Sequence, residues 1–375
     1  MSGHPPLITR HCEFLARGLA ALALMLSPSI SRAQVTDPPA QGKIVPTLEA
    51  LPHASKPRGA FKMWCGKKDR LLLSVGGQFE ACDGGRKSAT IAISSRWPAQ
   101  CSADGQQLIY VDTRMGYITR IDIANGASRL LASYKPRETG DDKTALSPDL
   151  RSIVSSSSLT LAADAGALKI ISVKDIANKQ LRDIKRSDDS SKIFAAYFTS
   201  IDVLDAQGEK IGSGQLPKGF YYRDGWFAAD RQALILYLAS EEDESGPGAL
   251  IQCRITDWKC SQLKSRVDSA SVGGRGILGT VSPVGKPPPP SEDDDGGTIH
   301  YYDRYVAELR DGASNLVARQ VLPRASRTDF EINIAPSGMK AALTWHISPT
   351  AECPPTDGSS DCAQGILVDL TKVVK

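Results

Sequence analysis

Residues 101–131 read CSADGQQLIYVDTRMGYITRIDIANGASRLL. Apolar side chains alternate with polar ones through Leu108–Tyr110 and again through Ile118–Ile123. A period of two marks a half-buried strand. Turn residues separate the runs: Ala103-Asp104-Gly105, Arg114-Met115-Gly116 and Asn125-Gly126. The stretch therefore predicts four short antiparallel strands joined by tight turns.

The pattern returns. Leu146-Ser147-Pro148-Asp149 opens one copy, Trp226-Phe227-Ala228-Ala229-Asp230 another, and Ile334-Ala335-Pro336-Ser337-Gly338 the last. Strand-like runs follow each: Ile153-Val154 and Leu168–Val173, then ALILYLAS and ALIQCRI, then MKAALTWHI and GILVDL. A spacing of roughly 40–45 residues with four strands per copy is the arithmetic of a β-propeller. Counting imperfect copies, the sequence predicts seven four-stranded blades, starting near residues 60, 99, 144, 191, 224, 277 and 330, the fourth being the poorest match. One blade cannot bury both faces alone, so stacking must supply the core. A two-domain β-sandwich is the competing architecture.

Ser102-Ala103-Asp104-Gly105, followed by Leu108-Ile109-Tyr110-Val111, resembles the Ser-Pro-Asp-Gly repeat of TolB-type bacterial propellers. Ser147-Pro148-Asp149 and Pro336-Ser337-Gly338 are degenerate versions. The resemblance covers residues 99–180 well and 330–372 in part. It implies blade architecture, and says little about function. Asp104, Asp149 and Asp230 are expected to form turns, their carboxylates bonding their own backbone.

The 375 residues are 41% hydrophobic and 23% charged, with net charge +3. That composition suits a globular chain and offers no strong field for nucleic acid. Residues 1–33 read as a signal peptide: Arg10 and Arg17, then the apolar GLAALALML, then Ser31-Arg32-Ala33 as a cleavage box. Residues 34–59 are expected to be a leader, within which Lys43–Leu51 supplies a strand that closes the ring beside Ile366–Leu370. Residues 60–375 form the propeller. No other segment is apolar enough to span a bilayer. A periplasmic or secreted location follows.

Cysteine spacing agrees with an oxidising compartment. Cys253 and Cys260 would face each other across a hairpin turning at Thr256-Asp257, and Cys353 and Cys362 would close a loop. Among Cys65, Cys82 and Cys101, spacing alone does not choose a pair.

The connection between second and third strands swells in the last three copies. It carries Glu241, Glu242, Asp243 and Glu244 in one, and Glu292, Asp293, Asp294 and Asp295 in the next. The last is the Cys353–Cys362 segment. If the blades are correctly placed, these insertions share one rim and offer an acidic surface to a protein or polymer partner. Catalytic inventory is thin. There is no Gly-x-Ser-x-Gly elbow, the acidic run lacks calcium-loop spacing, and Gly274-Arg275-Gly276-Ile277-Leu278-Gly279 has no helix behind it, so its glycines are read as easing a blade-to-blade crossing. No catalytic residue, metal or cofactor is assigned. The alternative is a propeller enzyme, or the large subunit of a periplasmic oxidoreductase, using channel-lining residues.

Overall fold

The structure is a computed structural model. It describes residue 48 and, with interruptions, residues 60–371; the larger interruptions are 95–98, 136–142, 163–167, 174–180, 243–245, 287–290, 293–297, 323–329 and 348–361. Residues 45–375 belong to one compact unit.

Among the described residues the strands form seven successive blades and one small separate hairpin. Blade 1 is β1 (Ala60–Cys65), β2 (Arg70–Val75), β3 (Gln78–Asp83) and β4 (Arg86–Ser94). Blade 2 is β5 (Ala99–Cys101), β6 (Gln107–Asp112), β7 (Tyr117–Asp122) and β8 (Ser128–Ser133). Blade 3 holds β9 (Thr144–Leu146) and β10 (Ser152–Ser155); the chain then lays β11 (Thr160–Leu161) on the outer edge of β8 before returning as β12 (Lys169–Ser172), parallel to β10. Blade 4 is β13 (Leu181–Arg186), β14 (Lys192–Tyr197), β15 (Ser200–Asp205) and β16 (Lys210–Gln215). Blade 5 is β17 (Phe220–Phe227), β18 (Ala233–Ser240), β19 (Gly248–Arg254) and β20 (Cys260–Val267). Blade 6 is β21 (Ser269–Val272) and β22 (Leu278–Val284), then a small hairpin of β23 (Ser291–Glu292) and β24 (Thr298–Ile299), then β25 (Arg304–Arg310) and β26 (Leu316–Leu322). Blade 7 is β27 (Glu331–Ile334), β28 (Lys340–Ile347) and β29 (Cys362–Asp369). Among the described residues blades 1, 4, 5 and 6 are four-stranded meanders, blade 2 is a four-stranded meander extended by β11 to five, and blades 3 and 7 have three strands. Blades 4, 5 and 6 begin at 181, 220 and 269 rather than near 191, 224 and 277, because the repeat reading missed all or part of their first strands.

The core lies between sheets, one apolar cluster at each of the seven junctions. Leu72, Phe79 and Ile91 of blade 1 meet Leu108 and Ile121 of blade 2. Ile109 and Ile118 meet Ile153, and Val154 and Ile171 meet Ile193. Phe194 and Ile201 meet Leu234 and Leu236. Tyr237 and Leu250 meet Ala270, and Tyr305 and Leu309 meet Ile332 and Leu343. The seventh cluster closes the circle, with Phe61, Trp64 and Leu71 of blade 1 against Ala335 and Ala342 of blade 7. The Trp64 indole also donates to the carbonyl of Asn333 at 3.2 Å. This arrangement explains the continuous apolar run of β18. Leu234, Leu236 and Leu238 point toward blade 4, while Ile235 and Tyr237 point toward blade 6. Both faces are dry, so alternation disappears.

The turns between first and second strands explain the repeat. In blade 2 the buried Ser102 hydroxyl donates to Asp104 Oδ1 and accepts from the Gln107 amide, while the same carboxylate accepts from the Gln106 amide. Blade 4 repeats this with Ser187, Asp189, Lys192 and Ser191. Blade 3 uses Ser147 and Asp149, and in blade 7 Ser337 Oγ takes the carboxylate's place. The residue after the carboxylate position has positive φ: Gly105 at +70°, Ser190 at +62°, Arg231 at +56°, Gly338 at +72°. Gly274–Gly276 lie in the corresponding turn of blade 6, not at a blade crossing.

These turns interlock. Asp69 of blade 1 accepts from the amide of Ser337 at 3.2 Å and from its hydroxyl, and Lys340 donates to the Asp69 carbonyl. Arg70 donates to the Gly105 carbonyl at 3.0 Å. The Arg231 guanidinium grips Asp188 at 2.7 and 3.1 Å, and Lys192 donates to the Arg231 carbonyl.

Among the described residues there are two disulfides. Cys253 and Cys260 face each other in the β19–β20 ladder, Cα atoms 4.0 Å apart, as their spacing predicts. The turn that they close carries Trp258, whose ring lies flat on Gly214 of blade 4 and whose Nε1–H donates to the Gln215 carbonyl at 2.9 Å. Cys65 pairs with Cys101, joining the first strands of blades 1 and 2. Cys353 lies outside the described residues, so the expected Cys353–Cys362 bridge does too.

The turn carboxylates make stability acid-sensitive. Burial opposes ionisation of Asp189, but hydrogen bonds from the Ser187 and Ser191 hydroxyls and the Ser191 amide, with the Arg231 charge, bring its pKa down from 3.8 to about 2. Asp104 and Asp149 are also held below their ordinary range, chiefly by Ser102 and Ser147. A depressed folded pKa contributes stability above the unfolded value and loses it as pH falls through the folded one. Urea midpoints should fall between roughly pH 4 and pH 2, and Asp189→Asn should flatten that slope. An unchanged slope in the variant would assign the acid sensitivity elsewhere.

Candidate functional site

First strands of neighbouring blades touch one another, as β9 touches β13, β13 touches β17 and β21 touches β27, so they ring the axis. In a meander, second-to-third connections and blade-to-blade links share one face. We term it the loop face. On it, residues 76–77, 113–116 and 198–199 are short connections in blades 1, 2 and 4. In the consecutive blades 5, 6 and 7 the second and third strands are separated by 241–247, 285–303 and 348–361, the last wholly outside the described residues.

Of the acids expected from sequence, Glu241, Glu242 and Glu292 are described, and they fall in the neighbouring blades 5 and 6. Glu241 and Glu242 are exposed at the root of the blade 5 connection; the Glu241 amide donates to the Gly219 carbonyl at 3.0 Å, and the Glu242 amide to Ser240 Oγ at 3.2 Å. Glu292 lies opposite Thr298 in the β23–β24 hairpin. Asp243, Glu244, Asp293, Asp294 and Asp295 lie outside the described residues.

Beside the root of the blade 5 connection is an aromatic platform whose Phe198 and Arg182 the sequence pattern does not single out. Phe198, at the tip of the blade 4 connection, stacks on Tyr221 at the start of β17, ring centroids 4.8 Å apart and planes 3° apart. The guanidinium of the exposed Arg182 lies 4.8 Å from the Phe198 ring centre. The Tyr222 amide donates to the Phe198 carbonyl, fixing the tip against blade 5. A half-exposed aromatic pair capped by a cation offers stacking to a planar or sugar-like group and a charge to an anion.

Deeper between blades 4 and 5 runs a charged seam. Tyr222 donates to Asp183 Oδ2 at 2.7 Å, and the Lys185 ammonium contacts Asp224 and lies 3.6 Å from Asp183. The ammonium also sits 5.2 Å from the Trp226 ring centre. Burial pulls the Lys185 pKa down, yet the two carboxylates outweigh it and the net direction is upward. Burial, then the Asp183 and Asp224 charges, push the Tyr222 phenol well above its ordinary range. Lysine and tyrosine both stay protonated near neutrality, so neither offers a base or a nucleophile. The seam ties two blades together.

The chain superposes on the β-propeller domain of Cps50 (Swd1) from Myceliophteria thermophila with a TM-score of 0.52 at 10% identity, covering 85% of this chain and 100% of that one. The fold is a seven-bladed β-propeller. At that identity the likeness carries the fold alone. No protein-family model and no curated protein matches the sequence.

Proposed function

We propose that this propeller is a non-enzymatic binding protein of the periplasm or extracellular space, holding a protein or polymer partner on its loop face. The observation that carries the reading is the coincidence on one face of three enlarged connections in consecutive blades and the Arg182–Phe198–Tyr221 stack. Long connections on a rigid scaffold are the usual carriers of binding.

Location rests on the N-terminal signal pattern and on the two disulfides, which persist in oxidising compartments. The described residues include no helix long and apolar enough to cross a membrane. The Ser-x-Asp hydrogen-bonded turns of blades 2 and 4 support kinship with TolB-type repeats.

The test is affinity capture from the native envelope or secreted fraction, comparing the natural chain with Phe198→Ala and with a deletion of residues 287–295. The reading expects a captured partner whose yield falls about tenfold or more in each variant with melting unchanged. Equal capture by all three chains would overturn it.

A further inference from the structure

A second surface lies on the side of the ring, between the outer parts of blades 5 and 6. Lys264 Nζ reaches Glu308 Oε2 at 2.8 Å and Thr280 Oγ1 at 3.1 Å. Arg310 Nη2 lies 3.4 Å and Arg319 Nε 3.8 Å from the same carboxylate. Burial favours the neutral acid, but the Lys264 and Arg310 charges hold the Glu308 pKa below its usual range. Three cations thus converge on one carboxylate that is 14% exposed, leaving a surplus of positive charge, while Arg310 and Arg319 remain 37% and 43% exposed.

Strand register extends the surface. Arg319 pairs with Glu308 and Val321 with Val306, so Arg319 and Val321, two apart, share the face of blade 6 that meets Lys264. Val321 is 58% exposed. The opposite wall is β20, the outermost strand of blade 5. Among the described residues β20 pairs with β19 alone, and Cys260–Leu263 are exposed along it. An open strand edge presents unpaired amides and carbonyls to any extended chain. Elsewhere the fold already uses such an edge: β11 adds to β8 as a fifth strand of blade 2, with Thr160 opposite Ser133 and Leu161 opposite Ala132.

We propose that β20 takes an extended acidic segment of a partner protein as a fifth strand of blade 5. Backbone hydrogen bonds to the β20 edge give affinity. Side chains at alternate positions give selectivity, an acidic one meeting Arg319 and an apolar one meeting Val321. This surface is separate from the loop face, and the proposal does not depend on the loop-face reading.

The probe is a fluorescein-labelled octapeptide, Thr-Glu-Thr-Val-Thr-Glu-Thr-Val, titrated with the full chain and followed by anisotropy. The expected result is saturable binding that weakens with salt and falls about tenfold in Val321→Glu and in Arg319→Gln, with unchanged melting of the first because Val321 is exposed. Methylating alternate peptide nitrogens should abolish binding, and Phe198→Ala should leave it intact. Absent binding, equal binding of the Gln-for-Glu peptide, or indifference to N-methylation would each overturn the proposal. So would displacement by heparin at matched charge as effective as displacement by unlabelled peptide, which would mark a general polyanion site.

Discussion

Replacing Gly66 by alanine is expected to cost about 3 kcal/mol or more, the sum of left-handed strain and backbone overlap. Gly66 has φ +68°, and a Cβ there would lie 2.3 Å from the Gly105 nitrogen and 2.5 Å from its Cα. Both neighbours are backbone, so no rotamer change relieves the clash. They are also anchored: the Cys65–Cys101 disulfide fixes the adjoining strands, and Arg70 holds the Gly105 carbonyl. Gly126 is the internal control. It has φ +71°, and the methyl group of an alanine there would meet nothing within 4 Å, so the substitution should cost only about 1 kcal/mol from strain. The difference between the two urea midpoints isolates the interlock of blades 1 and 2. Equal losses would show that these turns yield freely.

That interlock bears on how much the sequence discloses. Asp104, Asp149, Asp230 and Ser337 were legible because a carboxylate or hydroxyl followed by a turn residue announces itself. The fourth copy was obscured because its first strand, LRDIKR, is mostly charged and shows no apolar run, although its turn hydrogen bonds match those of blade 2. Strand runs were legible wherever burial on both faces made them continuously apolar, as in β18. The loop-face acids could be placed by topology alone, since strand parity decides the face. The Phe198–Tyr221 stack could not, because it joins two blades through a register that no local pattern encodes. One signal was present: Asp183–Tyr222, Lys185–Asp224 and Lys192–Arg231 are each separated by 39 residues, the interval from blade 4 to blade 5. Reading charges at the repeat interval, rather than along the chain, finds the seam.

Shortening Leu48 to alanine should cost about 3 kcal/mol, although it precedes every described strand. Leu48 is 1% exposed and belongs to the cluster that joins blades 6 and 7, with Ile366, Val368 and Leu370 of the last strand region. Among the described residues blade 7 has three strands, ordered β27-β28-β29, so the outer edge of β29 is where a fourth would pair. Apart from Leu48, the segment that the sequence reading assigns to this closure lies outside the described residues; we propose, from the burial of Leu48 alone, that residues 45–51 take that place. A ring whose last sheet draws a strand from the start of the chain resists opening, because both termini must leave together. Removing residues up to 56 should then lower the melting temperature at least as much as Leu48→Ala does. A synthetic peptide of residues 43–56 should restore it in proportion to its concentration, by mass action on the folded ring. If Leu48→Ala melts as the natural chain does, the leucine's burial contributes nothing and the closure is wrong. If truncation destabilises but the peptide fails to rescue, Leu48 acts as an apolar plug rather than as part of a strand.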